Sequence, residues 1–236
     1  LAFEIVNGIF LILTMNKWTF VIPSGGVGAR MGADRPKQYL EINGMPLIMH
    51  TLKNIDSIFA KPFFVLSMDS AWIPFLEPYL QDAGLSERCR FVDSGQERYD
   101  SVKNALSDIQ TPWVGVHDAV RPFVSEGTSA RITAALAQHR AVIPVMPIKE
   151  SIRKWTAAGS EALNRSSFVT VQTPQCFQED VIKNAYALPY DDSITDDASL
   201  VERSGTPVCC VEGNVENIKI THRMDLLLAQ QLLSQP

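Results

Sequence analysis

The chain has little of what metal centres and disulfide frameworks are made from. Of its 236 residues only four are cysteine and four are histidine, and the histidines are scattered. Cys89, Cys176, Cys209 and Cys210 form no C-x-x-C pair, and the adjacent Cys209-Cys210 suits neither a zinc knuckle nor a disulfide. They read as reduced, buried thiols of a cytoplasmic protein. Positive charge is also short: 21 Lys and Arg stand against 26 Asp and Glu, a net charge of −5. Non-specific binding to nucleic acid or to an anionic membrane needs the opposite balance, so neither partner is expected. Any anion site must be a local positive pocket in an acidic protein. Nowhere does an apolar run reach the ~20 residues of a membrane span. Residues 1–14, LAFEIVNGIFLILT, are apolar but have no Lys or Arg, so they lack the positive head of a signal peptide. They are read as an upstream extension, with Met15 the expected natural start. No Gly-Lys-Ser/Thr occurs, which removes the P-loop.

What is present is an ordinary globular composition, 46% hydrophobic and 20% charged, enough for a full core. The stretch from Trp18 to Tyr39, WTFVIPSGGVGARMGADRPKQY, organises it. The apolar run Trp18 to Ile22 reads as a buried strand. It breaks into Ser24-Gly25-Gly26-Val27-Gly28, and the cations Arg30 and Lys37 follow. Glycines after a strand let the backbone approach a ligand with no Cβ in the way, and successive N–H groups can point at one anion. Gly26, Gly28 and Gly32 are spaced G-x-G-x-x-x-G, so the third glycine is misplaced for a dinucleotide fingerprint. Two readings stay open: a tight strand-to-helix turn with no ligand, or a phosphate cradle with two positive arms. Arg30, and Lys37 behind Pro36, favour the cradle, with a triphosphate as its guest.

Further along, helical spacing over Pro46–Phe59, Ala71–Ala83, Arg98–Ile109 and Glu126–His139 alternates with apolar runs. Those runs are Phe63–Met68, Arg90–Asp93, Trp113–His117 and Ala141–Val145. Such alternation predicts βαβ crossovers, hence an α/β fold with a mainly parallel, twisted sheet flanked by helices. Ligands of such sheets sit at the carboxyl ends of strands. From Lys149 to Gln172 the rhythm breaks. SIRKWT and SSFVTVQ read as the two strands of a projecting β-hairpin arm with Gly159 in its turn. An uncovered hairpin edge invites pairing with a second subunit. Helices near Asp180–Ala187, from Asp196 and over Arg223–Leu233 are expected, with strands at Pro207–Val211 and Ile218–Ile220.

Two loops carry candidate chemistry. In Asp93-Ser-Gly-Gln-Glu-Arg-Tyr-Asp-Ser101 a turn glycine, Gly95, lets a base or ribose lie against backbone, and Ser101 reaches from the first helical turn. A helix N-terminus stabilised by acidic residues explains the same pattern. His117-Asp118-Ala119-Val120-Arg121-Pro122 follows a strand. There Asp118 can hold Mg²⁺ or a sugar hydroxyl, or can simply brace Arg121.

These motifs together resemble the cytidylyltransferases of non-mevalonate isoprenoid synthesis. SGGVGARMGADRPKQYL is similar to their G-x-G-x-R-M…P-K-Q-Y signature, and the resemblance runs from about Trp18 to about Leu233. It implies a Rossmann-like nucleotidyltransferase fold, taken as one domain over 15–236 with a dimerisation arm at about 148–172. Ser24, Gly25, Gly26, Gly28, Gly95, Gln96, Ser101, Asp118 and Ala119 are then implied to bind the nucleotide, CTP. Ser94 and Gln96 depart from the family's G-G-x-x-R-x-x-S-V element, as Ser24 does from its usual alanine. Arg30 and Lys37 are the implied catalytic cations. Lys219, in Glu212-Gly-Asn-Val-Glu-Asn-Ile-Lys-Ile-Thr221, is the third. Arg121, Ser151, Arg165, Thr173 and Thr195 are implied to bind the acceptor, methylerythritol phosphate, with Arg165 reaching in from the partner of a homodimer. Mg²⁺ is the implied metal, with Asp118 its ligand.

The implied reaction needs no general base, because a phosphomonoester is already mostly ionised at neutral pH, its second pKa being ~6. That agrees with the absence of a placed His or Cys nucleophile. Three alternatives remain at this level: a ribitol 5-phosphate or other polyol phosphate as acceptor, a sugar-1-phosphate nucleotidyltransferase using UTP or GTP, and a non-catalytic nucleotide-binding regulator.

Overall fold

The strand Trp18–Pro23 (β1) is buried nearly throughout, which fits a position with helices on both faces. Its alternation sorts the core into two layers. Trp18, Phe20 and Ile22 join one apolar cluster with Ile48, Leu52 and Leu76, whereas Val21 joins another with Val102, Leu106 and Val181. Gly115 on the neighbouring strand lies against the Phe20 ring, where a Cβ would come within 2.4 Å.

The structure, a computed structural model, describes residues 17–26, 35–191 and 193–234. After β1 come a short pair, Glu41–Ile42 (β2) and Met45–Pro46 (β3), then Leu47–Ile58 (α1), Phe63–Met68 (β4) and Ile73–Asp82 (α2). Cys89–Asp93 (β5), Arg98–Leu106 (α3), Trp113–Val116 (β6), Glu126–Ala135 (α4) and Ala141–Pro147 (β7) complete the alternating half. Next are Arg153–Thr156 (β8), Gly159–Ala162 (β9), Val169–Val171 (β10) and Gln175–Gln178 (β11). Glu179–Ala185 (α5), Asp197–Arg203 (α6), Cys209–Glu212 (β12) and Arg223–Leu233 (α7) close the chain.

β6, β1, β4 and β5 pair in parallel, as the alternation predicts. β11 inserts antiparallel between β6 and β7, β10 continues along β7, and β12 runs parallel on the other edge of β7. The result is a mixed, mainly parallel eight-stranded sheet with helices on both faces. Helices α3 and α4 end before Ile109 and His139. Ile109 and Leu136 are buried all the same, so the apolar spacing outlasts the helix.

Two sequence expectations need correction, and one element was missed. RKWT pairs with GSEA as an exposed two-stranded hairpin, not with SSFVTVQ. Thr156 pairs Gly159 across a two-residue turn, while Val169–Val171 joins the main sheet. Short-range alternation could not choose between these partners. Ile218–Ile220 is not a strand, although the Ile220 N–H donates to the Val120 carbonyl at 3.0 Å. The β2–β3 hairpin was not anticipated, although its Asn43-Gly44 turn, with both φ values positive, is a recognisable signal.

Candidate active site

A cleft of about 500 Å³ opens at the carboxyl ends of β1, β5 and β6. Ser24, Gly25 and Gly26 line it from the loop after β1, and Gly95, Gln96 and Ser101 from the turn between β5 and α3. Asp118 and Ala119 enter after β6, and Lys37 and Lys219 complete the wall. Arg30 and Gly28 lie outside the described residues.

The glycine loop is shaped by contacts from three segments. The Ser24 hydroxyl donates to the Ser67 carbonyl at 3.1 Å, so the serine side chain is tied back to β4. Gln38 Nε2 donates to the carbonyls of Ser24 at 2.5 Å and Gly26 at 3.0 Å, which binds the loop to the Lys37–Tyr39 turn. A Cβ on Gly25 would come within 2.3 Å of Ser94 Cβ, so the loop is pressed against the second loop of the cleft. Gly26 has open space where its Cβ would stand.

In that second loop the helix-stabilising explanation is realised. Glu97 and Asp100 form a reciprocal capping box at the start of α3. Ser101 Oγ accepts from the Gly95 N–H at 3.0 Å and donates to the Glu97 carbonyl at 3.1 Å. Its proton is therefore spent inside the loop, and the hydroxyl shapes the cleft wall.

The floor of the cleft is charged. Asp118 accepts from Arg121 Nε at 2.9 Å and faces the Lys219 ammonium at 3.2 Å. Burial pushes its carboxyl up, but Lys219, Arg121 and Arg98 outweigh that and hold it well below the usual carboxylate range. Lys37 Nζ donates to the Ile220 carbonyl at 3.1 Å, which brings it beside the segment that carries Lys219. Arg98 also lines the cleft, fixed by two hydrogen bonds of 2.9 and 2.7 Å to the fully buried Asp197. Gln38, Arg98 and Thr221 were not singled out from sequence. All three stand inside the motifs already identified, Gln38 in the P-K-Q-Y signature, but nothing local marks Asp197 as the partner of Arg98.

The proposed acceptor contacts divide. Thr173 and Arg121 contact Asp118 without lining the cleft themselves: the Asp118 N–H donates to Thr173 Oγ1 at 3.1 Å, and Arg121, paired with Asp118, also donates to the Asn217 carbonyl at 2.8 Å. Thr195 lines a separate small cavity with Arg98, Tyr99 and Tyr186. Ser151 and Arg165 are exposed near the hairpin, away from the cleft of their own chain, with Arg165 donating to the Lys149 carbonyl.

Among the described residues no three His, Cys, Asp or Glu side chains gather as a metal cluster. A Mg²⁺ ion held chiefly by nucleotide phosphates and water needs only one or two carboxylates, so Asp118 fits such an ion.

The family profile of 2-C-methyl-D-erythritol 4-phosphate cytidylyltransferase (IspD) matches residues 18–235. The chain belongs to this family. It is accordingly a nucleotidyltransferase, and its relatives agree. The Bacteroides thetaiotaomicron cytidylyltransferase of the same name is 42% identical over 218 residues, covering 92% of this chain and 100% of its own. That of Porphyromonas gingivalis is 41% identical over 218 residues, covering 91% and 96%. The crystal structure of the Thermus thermophilus cytidylyltransferase superposes with a TM-score of 0.73 at 31% identity, covering 91% of this chain and 97% of that one. The cytidylyltransferase frame also accounts for the cleft's position, since the motifs that resemble the family's nucleotide elements are the ones that line it.

Proposed function

We infer that the chain transfers a cytidylyl group from CTP to 2-C-methyl-D-erythritol 4-phosphate, giving the CDP-alcohol and pyrophosphate for isoprenoid precursor synthesis. The observation that carries the reading is the meeting of Lys37, Lys219 and Asp118 at one cleft walled by the glycine loop. An acceptor phosphate oxygen forms a bond to the α-phosphorus, and the bridging bond to the β-phosphorus oxygen breaks as pyrophosphate leaves. The acceptor arrives already ionised, so the barrier is the approach of one polyanion to another. Positioning and charge neutralisation do most of the work. Arg30, Lys37 and Lys219 neutralise the five-coordinate phosphorus and the leaving group in this scheme, with Ser24, Gly25, Gly26, Gly28, Gly95, Gln96, Ser101, Asp118 and Ala119 around the nucleotide. Arg121, Ser151, Arg165, Thr173 and Thr195 serve the acceptor. Asp118 would hold a Mg²⁺, which would supply further neutralisation of the phosphate charge.

We take residues 15–236 as one catalytic domain working in the cytoplasm as a homodimer through the arm. Trp155 on the arm is 87% exposed, and Phe168, Val169 and Val171 at the arm's return are exposed too, which supports a partner covering this region. The test is pyrophosphate release with CTP and methylerythritol phosphate, with ribitol 5-phosphate, UTP and GTP in parallel. Turnover with methylerythritol phosphate and CTP is the expected result. Preference for ribitol 5-phosphate would reassign the acceptor, and CTP binding without turnover would make the protein a regulator.

A further inference from the structure

Between Lys37 and Tyr39, whose side chains are both anchored outside the turn, stands a neutral amide that faces the glycine loop. Lys37 Nζ donates to the Ile220 carbonyl at 3.1 Å, and the buried Tyr39 ring stacks on Trp72 with centroids 4.5 Å apart. Gln38 is 3% exposed, and its Nε2 lies 2.5 Å from the Ser24 carbonyl oxygen and 3.0 Å from that of Gly26. Carbonyls only accept, so both side-chain N–H bonds point at the loop; the reversed amide would set three oxygens against one another. The Tyr39 hydroxyl lies 3.5 Å from the Ser24 oxygen, but among the described residues Gln38 alone donates to the Gly26 carbonyl.

A loop that takes a phosphate chain must turn its N–H groups to the anion and its carbonyl oxygens, which carry the opposite partial charge, away from it. In a trans peptide the two point in opposite directions, so a donor that captures a carbonyl also aims the N–H of the same unit. The N–H that shares a peptide with the Ser24 carbonyl is that of Gly25. Among the described residues it has no acceptor, whereas the Ser24 N–H is spent on the Ser67 carbonyl at 2.7 Å.

We propose that Gln38 is the positioning residue of the glycine loop: by holding the Ser24 and Gly26 carbonyls, it aims the loop's N–H groups at the β- and γ-phosphates of CTP and keeps carbonyl oxygens from facing them. The inference rests on the cleft being a CTP site. A neutral amide performs this task with no charge to bury, and the two carbonyls use both of its protons.

The experiment titrates CTP and CMP into the full chain by calorimetry, for wild type, Gln38→Met and Gln38→Glu. Methionine keeps the length and removes both donors. Glutamate keeps the shape and offers the carbonyls only acceptors. CTP affinity should fall about ten-fold in Gln38→Met and further in Gln38→Glu. CMP, which lacks the two outer phosphates, should bind all three proteins alike. A loss shared equally by CTP and CMP would make Gln38 a prop for the whole cleft, and unchanged CTP binding in Gln38→Met would make its contacts idle; either overturns the proposal. If the variants do not fold, nuclear magnetic resonance of the wild type decides. CTP and not CMP should shift the Gly25 N–H signal, while the Gln38 side-chain N–H pair stays slow to exchange with solvent; failure of either overturns the proposal. A wild type that binds neither nucleotide would instead reject the CTP site itself, and this inference with it.

Discussion

The ammonium of Lys219 stands 3.2 Å from the carboxylate of Asp118, although 101 residues separate them. The two sides of that contact differ in burial. Asp118 and its other partner Arg121 have side chains only 11% and 12% exposed, while Lys219 is 42% exposed. Water weakens the Lys219 arm, so this cation is held at the floor without being locked there, which suits the role proposed for it at an incoming phosphate.

Double-mutant cycles should separate the two arms. We expect a coupling of about 3 kcal/mol between Asp118 and Arg121, and about 1 kcal/mol or less between Asp118 and Lys219. Urea denaturation of the single and double alanine variants measures both. Equal couplings would contradict the proposed freedom of Lys219.

Lys37→Ala should reduce turnover ~10³–10⁵-fold, by analogy with cations that stabilise phosphoryl-transfer transition states. The assay is CTP-dependent pyrophosphate release at saturating substrates. Near-normal turnover would refute the catalytic assignment.

Asp197 is the buried end of an ion pair that orients Arg98 at the cleft, and it also accepts from the Tyr186 hydroxyl at 2.5 Å. Asp197→Ala should destabilise the fold by about 3 kcal/mol, because it leaves a guanidinium and a phenol without their acceptor. It should also raise the KM for CTP, since Arg98 loses its anchor. Thermal melts and steady-state kinetics test the two consequences separately.

The stability of the protein should fall on mild acidification. Burial pushes the His117 imidazole down from 6.5 to about 4, against the pull of Asp118. Between those values an unfolded chain binds a proton that the folded chain refuses. The contribution is intact above about pH 6.5 and is lost as pH drops towards 4, by up to ~3 kcal/mol. Denaturation midpoints across that range, compared with a His117→Asn variant, should show a flatter slope in the variant.

Much of the architecture was legible from local pattern. The apolar run of β1, the glycines after it and the alternating helices follow from short-range spacing, and a cleft does open at the strand ends where such sheets place ligands. Departures came where two partners compete. The pairing of Arg153–Thr156 with Gly159–Ala162 was missed because both candidate partners are extended and thinly apolar. At Ser101 the sequence left a base-reading hydroxyl and a stabilised helix start open, and the contacts with Gly95 and Glu97, six and four residues back, favour the second. By itself the chain determined which groups are available: a glycine turn, three candidate cations and an aspartate after a strand. Only the folded state decided that Lys37 lies against Ile220, 183 residues away, that Lys219 faces Asp118, and that Asp197 grips Arg98. Spacing within a motif reports neighbours a few residues apart, whereas these charges meet only after the crossovers have brought the strand ends to one side of the sheet.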